Sequence, residues 1–454
     1  MLISINFIGC SELMPLPETG DSTGVINTDP NKYTQLTPIW TFDQFGLQNP
    51  TDAFFKQDGR MYIADSSINS IMVIRQFAEV ESGCYDSLLN LDVKPTSVCV
   101  DSRFNVYFSD GGNKIYMWSQ YATMFGIKGI VTERLYEIDG KDTLLSPLDA
   151  IAILGYEDAK YPKEDIIDTT QVELIDSLMS PRVFYDPQND LNRNGLINDL
   201  TGEVMYPGNK VYATVNKSYV ALAPGESGEL SVFAADAINN YILKIDLIPT
   251  VLVHCSNGQN VWQYIGILDR FIATPGTGAG TVSKPVSLSS DESGNLYYTQ
   301  TGDYFSAHKI EIPDYTSSFS VGQDILRIGE FGYARDILSA DQTIFVLDNI
   351  DNDIKLYSPQ EVKENYIVTT EKGEYLKSIA VTEEWVIVSD TTYINDSLVV
   401  KDTLVLNQYN DLLDNPMAIT FYDEVIYVFD NGNSRILRYT KADDVVIEDA
   451  DREE

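Results

Sequence analysis

The chain repeats itself, and that repetition limits its fold more than any other feature. A Pro-led apolar strand is followed by a turn, then by a short aromatic-aliphatic strand ending in Asp. A polar turn containing Asn and a further strand complete the unit. Copies begin at Asn49 (NPTDAFFKQDGRMYIADSSINSIMVIRQ), Lys94 (KPTSVCVDSRFNVYFSDGGNKIYMWS), Lys284 (KPVSLSSDESGNLYYTQ) and Asn415 (NPMAITFYDEVIYVFDNGNSRILRYT). Those at Tyr333 and Tyr375 have lost the Pro, and a seventh is interrupted, opening with SPLDAIAILG at Ser146 and resuming at Gly228. Lead positions 50, 95, 147, 285, 334, 376 and 416 are separated by 45, 52, 138, 49, 42 and 40 residues. A unit that cannot bury its own faces must stack on its neighbours, and periods of roughly 40–50 residues belong to four-stranded units arranged radially.

The expected fold is therefore all-β: a single β-propeller of four-stranded blades, seven by this count, with six or eight as alternatives. A fourth strand is expected between units, at Arg134–Ile138, Trp262–Leu268 and Asp324–Ile328. The last unit lacks an outer strand, and the orphan segment Thr37–Phe42 is expected to supply it and tie the ends together. Domain bounds follow: a truncated lipoprotein signal at 1–10, a tether at 11–36, the propeller at 37–442 with an insertion at about 155–224, and an acidic tail at 443–454. The segment SYVALAPGESGELSVFAAD inside the interrupted copy could form a first hairpin by itself, which would make Ser146 open a degenerate extra unit.

The repeats resemble NHL-type propeller repeats in their "P-x-x-hydrophobic", "G-x-hydrophobic-Y-hydrophobic-A-D" and "N-x-hydrophobic" elements, from about Thr37 to Thr440 without the insertion. The resemblance implies a fold and leaves function open, because one propeller hosts many activities. Some relatives implied by it are lyases with a zinc site built from several His, and this chain has two, His254 and His308. Six-bladed lactonases hold one metal with Glu, Asn and Asp in the channel, and no such triple stands out here.

Charge removes one class of partner. With 31 Lys plus Arg against 68 Asp plus Glu, the net charge is −37, and no basic run interrupts it. Such a surface repels phosphate, so nucleic acid is excluded as a partner and an anionic membrane surface is disfavoured. Four Cys (Cys10, Cys84, Cys99, Cys255) form no CxxC pair; a Cys84–Cys99 bridge stays open beside the expectation of buried free thiols.

Three features carry functional expectations. The start, MLISINFIGCSE, resembles a bacterial lipobox with Cys10 as the lipidated residue, which implies an extracytoplasmic, surface or outer-membrane lipoprotein. Residues 11–36 would then span about 25–30 Å as a flexible coil. Inside the insertion, YDPQNDLNRNGLINDLTGE resembles a calcium loop, with Asp190, Asn192, Asn194, Leu196 and Asp199 as candidate ligands. Gly195 would permit the turn and Ile197 anchor it, while Thr201 stands where a bidentate acid belongs and Asp186 or Glu203 lies near. The recurrent Asp65, Asp110, Asp236, Asp348, Asp390 and Asp430, with Asn69, Asn113, Asn239, Asn352, Asn395 and Asn433, read as turn caps rather than as a metal ring. The strand aromatics Tyr62, Tyr107, Phe108, Phe233, Tyr297, Phe345, Trp385 and Tyr427 read as packing between blades. The expected function is a non-catalytic extracytoplasmic binding or scaffold propeller for a protein or glycan partner. The alternatives are a metal-dependent hydrolase or lyase with its site in the channel, and a structural component of a virion or secretion assembly. The membrane enters only through the lipid anchor, and calcium is the one cofactor expected.

Overall fold

The computed structural model describes residues 33–36, 38–75, 87–120, 127–187, 197–198, 203–206, 210–213, 216–225, 230–277, 281–291, 294–302, 306–310, 331–340, 343–357, 383–394, 397–408 and 413–441. Tyr33–Lys441 makes one compact unit. Strands β1 (Tyr33–Gln35) and β2 (Trp40–Thr41) precede a helical turn, α1 (Phe42–Phe45). The first sheet is β3 (Pro50–Phe55), β4 (Arg60–Asp65) and β5 (Ser70–Arg75). The second is β6 (Ser97–Val100), β7 (Asn105–Ser109) and β8 (Ile115–Ser119). An excursion follows through β9 (Ile130–Ile138), β10 (Lys141–Leu145), α2 (Pro147–Leu154), β11 (Glu164–Asp168) and α3 (Val172–Met179). The chain then returns as β12 (Arg182–Tyr185), which pairs with β8. A short sheet of β13 (Ile197–Asn198), β14 (Glu203–Tyr206) and β15 (Lys210–Ala213) comes next.

The third sheet is β16 (Tyr219–Pro224), β17 (Ser231–Asp236), β18 (Tyr241–His254) and β19 (Asn260–Pro275), with β20 (Thr281–Val282) at its edge. The fourth is β21 (Pro285–Ser290), β22 (Leu296–Gln300) and β23 (Ala307–Ile310). The fifth is β24 (Ala334–Ala340), β25 (Thr343–Asp348) and β26 (Asp353–Tyr357). Strands β27 (Glu383–Ile394) and β28 (Ser397–Gln408) pair as a hairpin. The last sheet is β29 (Pro416–Tyr422), β30 (Val425–Asp430) and β31 (Arg435–Lys441), with β1 and β2 both on β31.

Because side chains alternate along a strand, a sheet with apolar residues at every position must be covered on both faces. The middle strands meet that condition: β4, β7, β17 and β22 are buried along their whole length. In β4, Tyr62 and Ala64 pack toward Val98, Val106 and Phe108 of the second sheet. Met61 and Ile63 pack the opposite way, toward Tyr427 and Phe429 of the last sheet. The same division recurs between second and third, third and fourth, fourth and fifth, and fifth and last sheets. The first strands agree: β3 lies beside β6, β6 beside β16, then β21, β24 and β29, which returns to β3. Among the described residues, each of these six sheets thus packs on the next through its first strand.

Two units depart from the expected strand pattern. Ser146 opens a helix rather than a strand. Its Oγ accepts the Asp149 backbone N–H, Pro147 is the first helical residue, and Asp149 lies in the first turn. P-L-D-A fits a blade strand by repeat register, but Ser-Pro-x-Asp is also an N-cap with Pro at N1, and the cap wins locally. The third sheet takes its first strand from Tyr219–Pro224 instead. The unit at Tyr375 opens outside the described residues, and β24 of the fifth sheet packs directly on β29 of the last.

The expected outer strand Arg134–Ile138 belongs to β9, in a separate sheet with β10 and β11. The second sheet is completed by β12, whose Phe184 and Tyr185 are buried, Phe184 lying edge-on to Tyr107 at 5.0 Å. A strand bearing Glu133, Arg134 and Glu137 cannot enter that core without stranding charge. Trp262–Leu268 falls within β19, and Asp324–Ile328 lies outside the described residues. At the other end, Trp40 pairs with Ile436 and Thr41 with Arg435, while Phe42, expected in the same strand, begins α1. Thr37 lies outside the described residues.

Candidate functional site

The first strand of a sheet is the one nearest the axis, and a single-residue bulge sits at the same place in five of them. Register shifts fall between Pro50/Asp52, Tyr219/Ala221, Pro285/Ser287, Ala334/Asp336 and Pro416/Ala418. A bulge re-aims the residues that flank it. Thr51, Val220, Val286, Arg335 and Met417, together with Thr96, line a narrow void of about 20 Å³ at one end of the axis. That is room for about one water molecule. The residues one step on make a waist, where Asp52, Ser97, Ser287 and Asp336 supply the polar groups.

The waist is stitched across sheets. Asp52 accepts the Ser97 hydroxyl at 2.8 Å and the Val98 N–H at 2.8 Å. The Ser97 Oγ in turn accepts the Leu222 N–H at 3.0 Å. Asp336 accepts the Ser287 hydroxyl from the sheet before it and the Ile419 N–H at 2.9 Å from the sheet after it. Arg335 reaches past the last sheet to donate to the Thr51 carbonyl at 3.2 Å. Burial raises the Asp52 carboxyl to about 7, and the nearby charge of Asp336 adds to this against three hydrogen bonds that oppose it. Burial raises Asp336 as well, against its Ser287 and backbone partners. Two like charges in a narrow constriction disfavour double ionisation, so the pair tends to hold a proton.

Beyond the waist the channel widens to a cavity of about 480 Å³ that receives residues from all six first strands. Its wall combines Phe54, Phe421 and Tyr422 with Ser289, Ser290, Ser339 and Thr420. Tyr422 stacks on Phe55 with ring centroids 5.1 Å apart, and Lys56 stands at the rim. This funnel is wide enough for a small ligand and mixes apolar faces with hydroxyls, the usual composition of a binding pocket.

The recurrent Asp residues lie elsewhere and cap turns. Asp65 accepts N–H groups from Gln48, Asn49 and Ser67. Asp236 accepts from Ser218 and Ile238, Asp110 from Gly112, and Asp430 from Asp414 and the Arg435 guanidinium. Asp348 is pushed up by burial, yet the N–H groups of Asp351, Tyr333, Gly332 and Ile350 outweigh that and hold its carboxyl low. Asn69 and Asn352 adopt positive φ in the following turns. The side chain of Asp390 lies outside the described residues. Asp348, Asp351 and Asp353 come close enough to hold a cation, and Lys355 already meets them at 3.6, 3.1 and 3.9 Å.

The other sequence expectations divide in the same way. Tyr62, Tyr107, Phe108, Phe233, Tyr297, Phe345 and Tyr427 are buried between sheets. Cys99 and Cys255 are buried free thiols. His254 lies 2.6 Å from the Asn260 amide oxygen, with burial lowering its pKa, and His308 stacks on Tyr298 at 4.8 Å. Cys10, Asp190, Asn192, Asn194, Leu196 and Asp199 lie outside the described residues. Asp52 and Asp336 were missed by sequence reasoning. The signal was present: the third residue of nearly every unit is Asp or Ser, as in PTD, PTS, PVS and ARD.

No protein-family model and no curated protein matches the chain. Similar solved structures include a β-propeller domain of Swd1 (Cps50) from Myceliophteria thermophila, at 9% identity over 90% of this chain and 100% of that one, with a TM-score of 0.44. An auxiliary nutrient binding protein from Bacteroides ovatus shows 9% identity over 87% and 69%, with a TM-score of 0.41. A virginiamycin B lyase from Staphylococcus aureus shows 12% identity over 90% and 99%, with a TM-score of 0.39. At such identities, ligand and chemistry must be read from this chain's own residues.

Proposed function

We propose that this chain is a six-bladed, extracytoplasmic binding propeller whose ligand, a glycan or a segment of a protein partner, seats in the wide end of the channel. The observation that carries the reading is the convergence of all six first strands on one open cavity of about 480 Å³. Hydroxyl and aromatic groups line it, while the carboxylates beneath are already engaged by serines and backbone N–H groups. Bonded in that way, they act as a floor that fixes the shape of the funnel. The proposal extends to anchoring through a lipidated Cys10 on the 11–36 tether, and to calcium held by Asp190, Asn192, Asn194, Leu196 and Asp199. Binding of the purified chain to a glycan microarray and to extracellular proteins of its source organism tests the reading. Ser339→Trp, which fills the funnel, should abolish any ligand found. Undiminished binding by that variant would place the ligand elsewhere, and no binding in either format would remove the proposal.

One observation favours a second reading, a hydrolase with its acid in the channel. A carboxyl raised to about 7 in a cleft is the kind of group that supplies a proton at neutral pH. Turnover of a lactone or chromogenic ester panel that disappears in Asp52→Asn would favour it over simple binding.

A further inference from the structure

Among the described residues, one turn recurs with a single exception. In the first sheet, Lys56 N–H donates to the Arg60 carbonyl and Gly59 N–H to the Lys56 carbonyl. The same two bonds join Asp291, Asn295 and Gly294 in the fourth sheet, and Cys255, Gln259 and Gly258 at the tip of the β18–β19 hairpin. In each case the fourth residue is left-handed: Gly59 at φ +85°, Gly294 at +80° and Gly258 at +82°. The second sheet makes this turn with Asp101, Asn105 and Phe104, and there Phe104 sits at φ +62°. The match extends further, since Asp101 binds the Asn105 amide and the Tyr107 hydroxyl as Asp291 binds Asn295 and Tyr297.

A bulky residue at positive φ is strained, and Gly would serve the turn without strain. Such outliers persist where the side chain has a task. Phe104 carries Arg60 and Lys56 near its ring, at 5.2 and 5.7 Å from the centroid. It also lines a cleft of about 350 Å³ beside the funnel, together with Trp262, Tyr264, Arg103, Asn260 and Ser119. The cleft borders the funnel at Ser102, which lines both.

We infer that this cleft is a carbohydrate subsite, in which a neutral sugar ring lies against the faces of Phe104 and Trp262 with its hydroxyls toward Arg103, Asn260 and Ser119. Three features select that ligand. A pyranose ring has an apolar C–H face, which suits the electron-rich face of an aromatic ring. Its hydroxyls each donate and accept, which suits a guanidinium, an amide and a serine lining one cleft. The lining carries one cation, Arg103, and no acid, so it offers no partner to a cationic ligand. The cleft volume falls in the range of small-ligand pockets. The inference rests on the reading of this chain as a binding propeller, but at a different site, and the two can fail separately.

The test uses the full chain on a microarray of neutral gluco-, galacto-, manno- and N-acetylhexosamine oligosaccharides of two to six units. The best binder is then titrated by calorimetry and by Trp fluorescence. Phe104→Gly and Trp262→Ala should each weaken binding at least tenfold, and Ile153→Ala, at an exposed position of α2, should not. Phe104→Gly should also melt at the same temperature as wild type or higher, because it relieves the strained turn. The inference is overturned if wild type retains no neutral oligosaccharide, if acidic glycans bind better, or if both cleft variants bind as wild type does. A Phe104→Gly chain that melts several degrees lower with binding intact would make Phe104 a packing residue only.

Discussion

Replacing Asp52 by Asn should make the protein more stable above neutral pH and less dependent on pH between 5 and 7. The folded carboxyl titrates near 7, against an ordinary value of 3.8, because burial and then the charge of Asp336 disfavour its ionised form. Between those two values the folded state holds a proton that the unfolded chain has released. Stability from this group is therefore fully present below pH 3.8 and is lost as pH rises through 7. A displacement of that size corresponds to about 4 kcal/mol, an upper bound for a group that touches channel water. Unfolding entropy of about 2.1 cal/mol/K per residue over roughly 400 residues converts this to about 4–5 °C in Tm. Asn is neutral throughout, but its NH2 cannot accept from an N–H as the second carboxylate oxygen does. One of the bonds from Ala53, Ser97 and Val98 is lost, at about 1 kcal/mol. The variant should melt slightly below wild type at pH 4 and clearly above it at pH 8, the two curves crossing between pH 4 and 5. Differential scanning calorimetry at constant ionic strength reads this directly. The difference between variant and wild type is the quantity to follow, since His254, whose pKa burial lowers, is common to both proteins. A difference in Tm that stays constant from pH 5 to 8 would refute the idea of a protonated waist.

Two further outcomes concern the ends of the ring and the insertion. Deleting residues 1–44 removes Trp40, which is buried against Phe45 and Tyr427 at 5.6 and 5.7 Å, and should lower Tm far more than deleting 1–32. The loss of one buried Trp alone is worth about 3–5 kcal/mol, and equal melting of the two truncations would contradict it. Calcium should slow proteolysis between Gly155 and Pro224 with little change in global melting, and Asp190→Ala should abolish that protection. Equal cleavage with calcium and with chelator would leave an ordinary Asn-rich turn.

The features legible from sequence were those that a period can carry. Alternating apolar residues, the Asp that ends the second strand and the Asn that follows recur because every sheet needs the same two-faced burial and the same capped turn. Asp65, Asp236, Asp348 and Asp430 do in the structure what their repetition implied. Misreadings arose where one short motif satisfies two local structures. S-P-L-D-A is both a blade opening and a capped helix start, and only tertiary context decides between them. The outer strand of the second sheet could not be placed either, because it arrives from inside the excursion, about fifty residues beyond the strand expected there.

The residues that face the channel were hidden for a different reason. A residue at the same position in every unit is easily read as scaffold, and Asp52, Ser97, Ser287 and Asp336 are scaffold in part, because they stitch sheet to sheet. Their second property lies between sheets, where Asp52 and Asp336 share one constriction and their charges matter to each other. Phe104 shows the complementary case. It is invisible as a member of the repeat and conspicuous as a departure from it, since D-S-R-F-N stands where D-E-S-G-N stands in the fourth sheet. In a molecule built by repetition, shared positions report on how the sheets hold together. A position where one sheet accepts strain that its siblings avoid reports on what that sheet does alone.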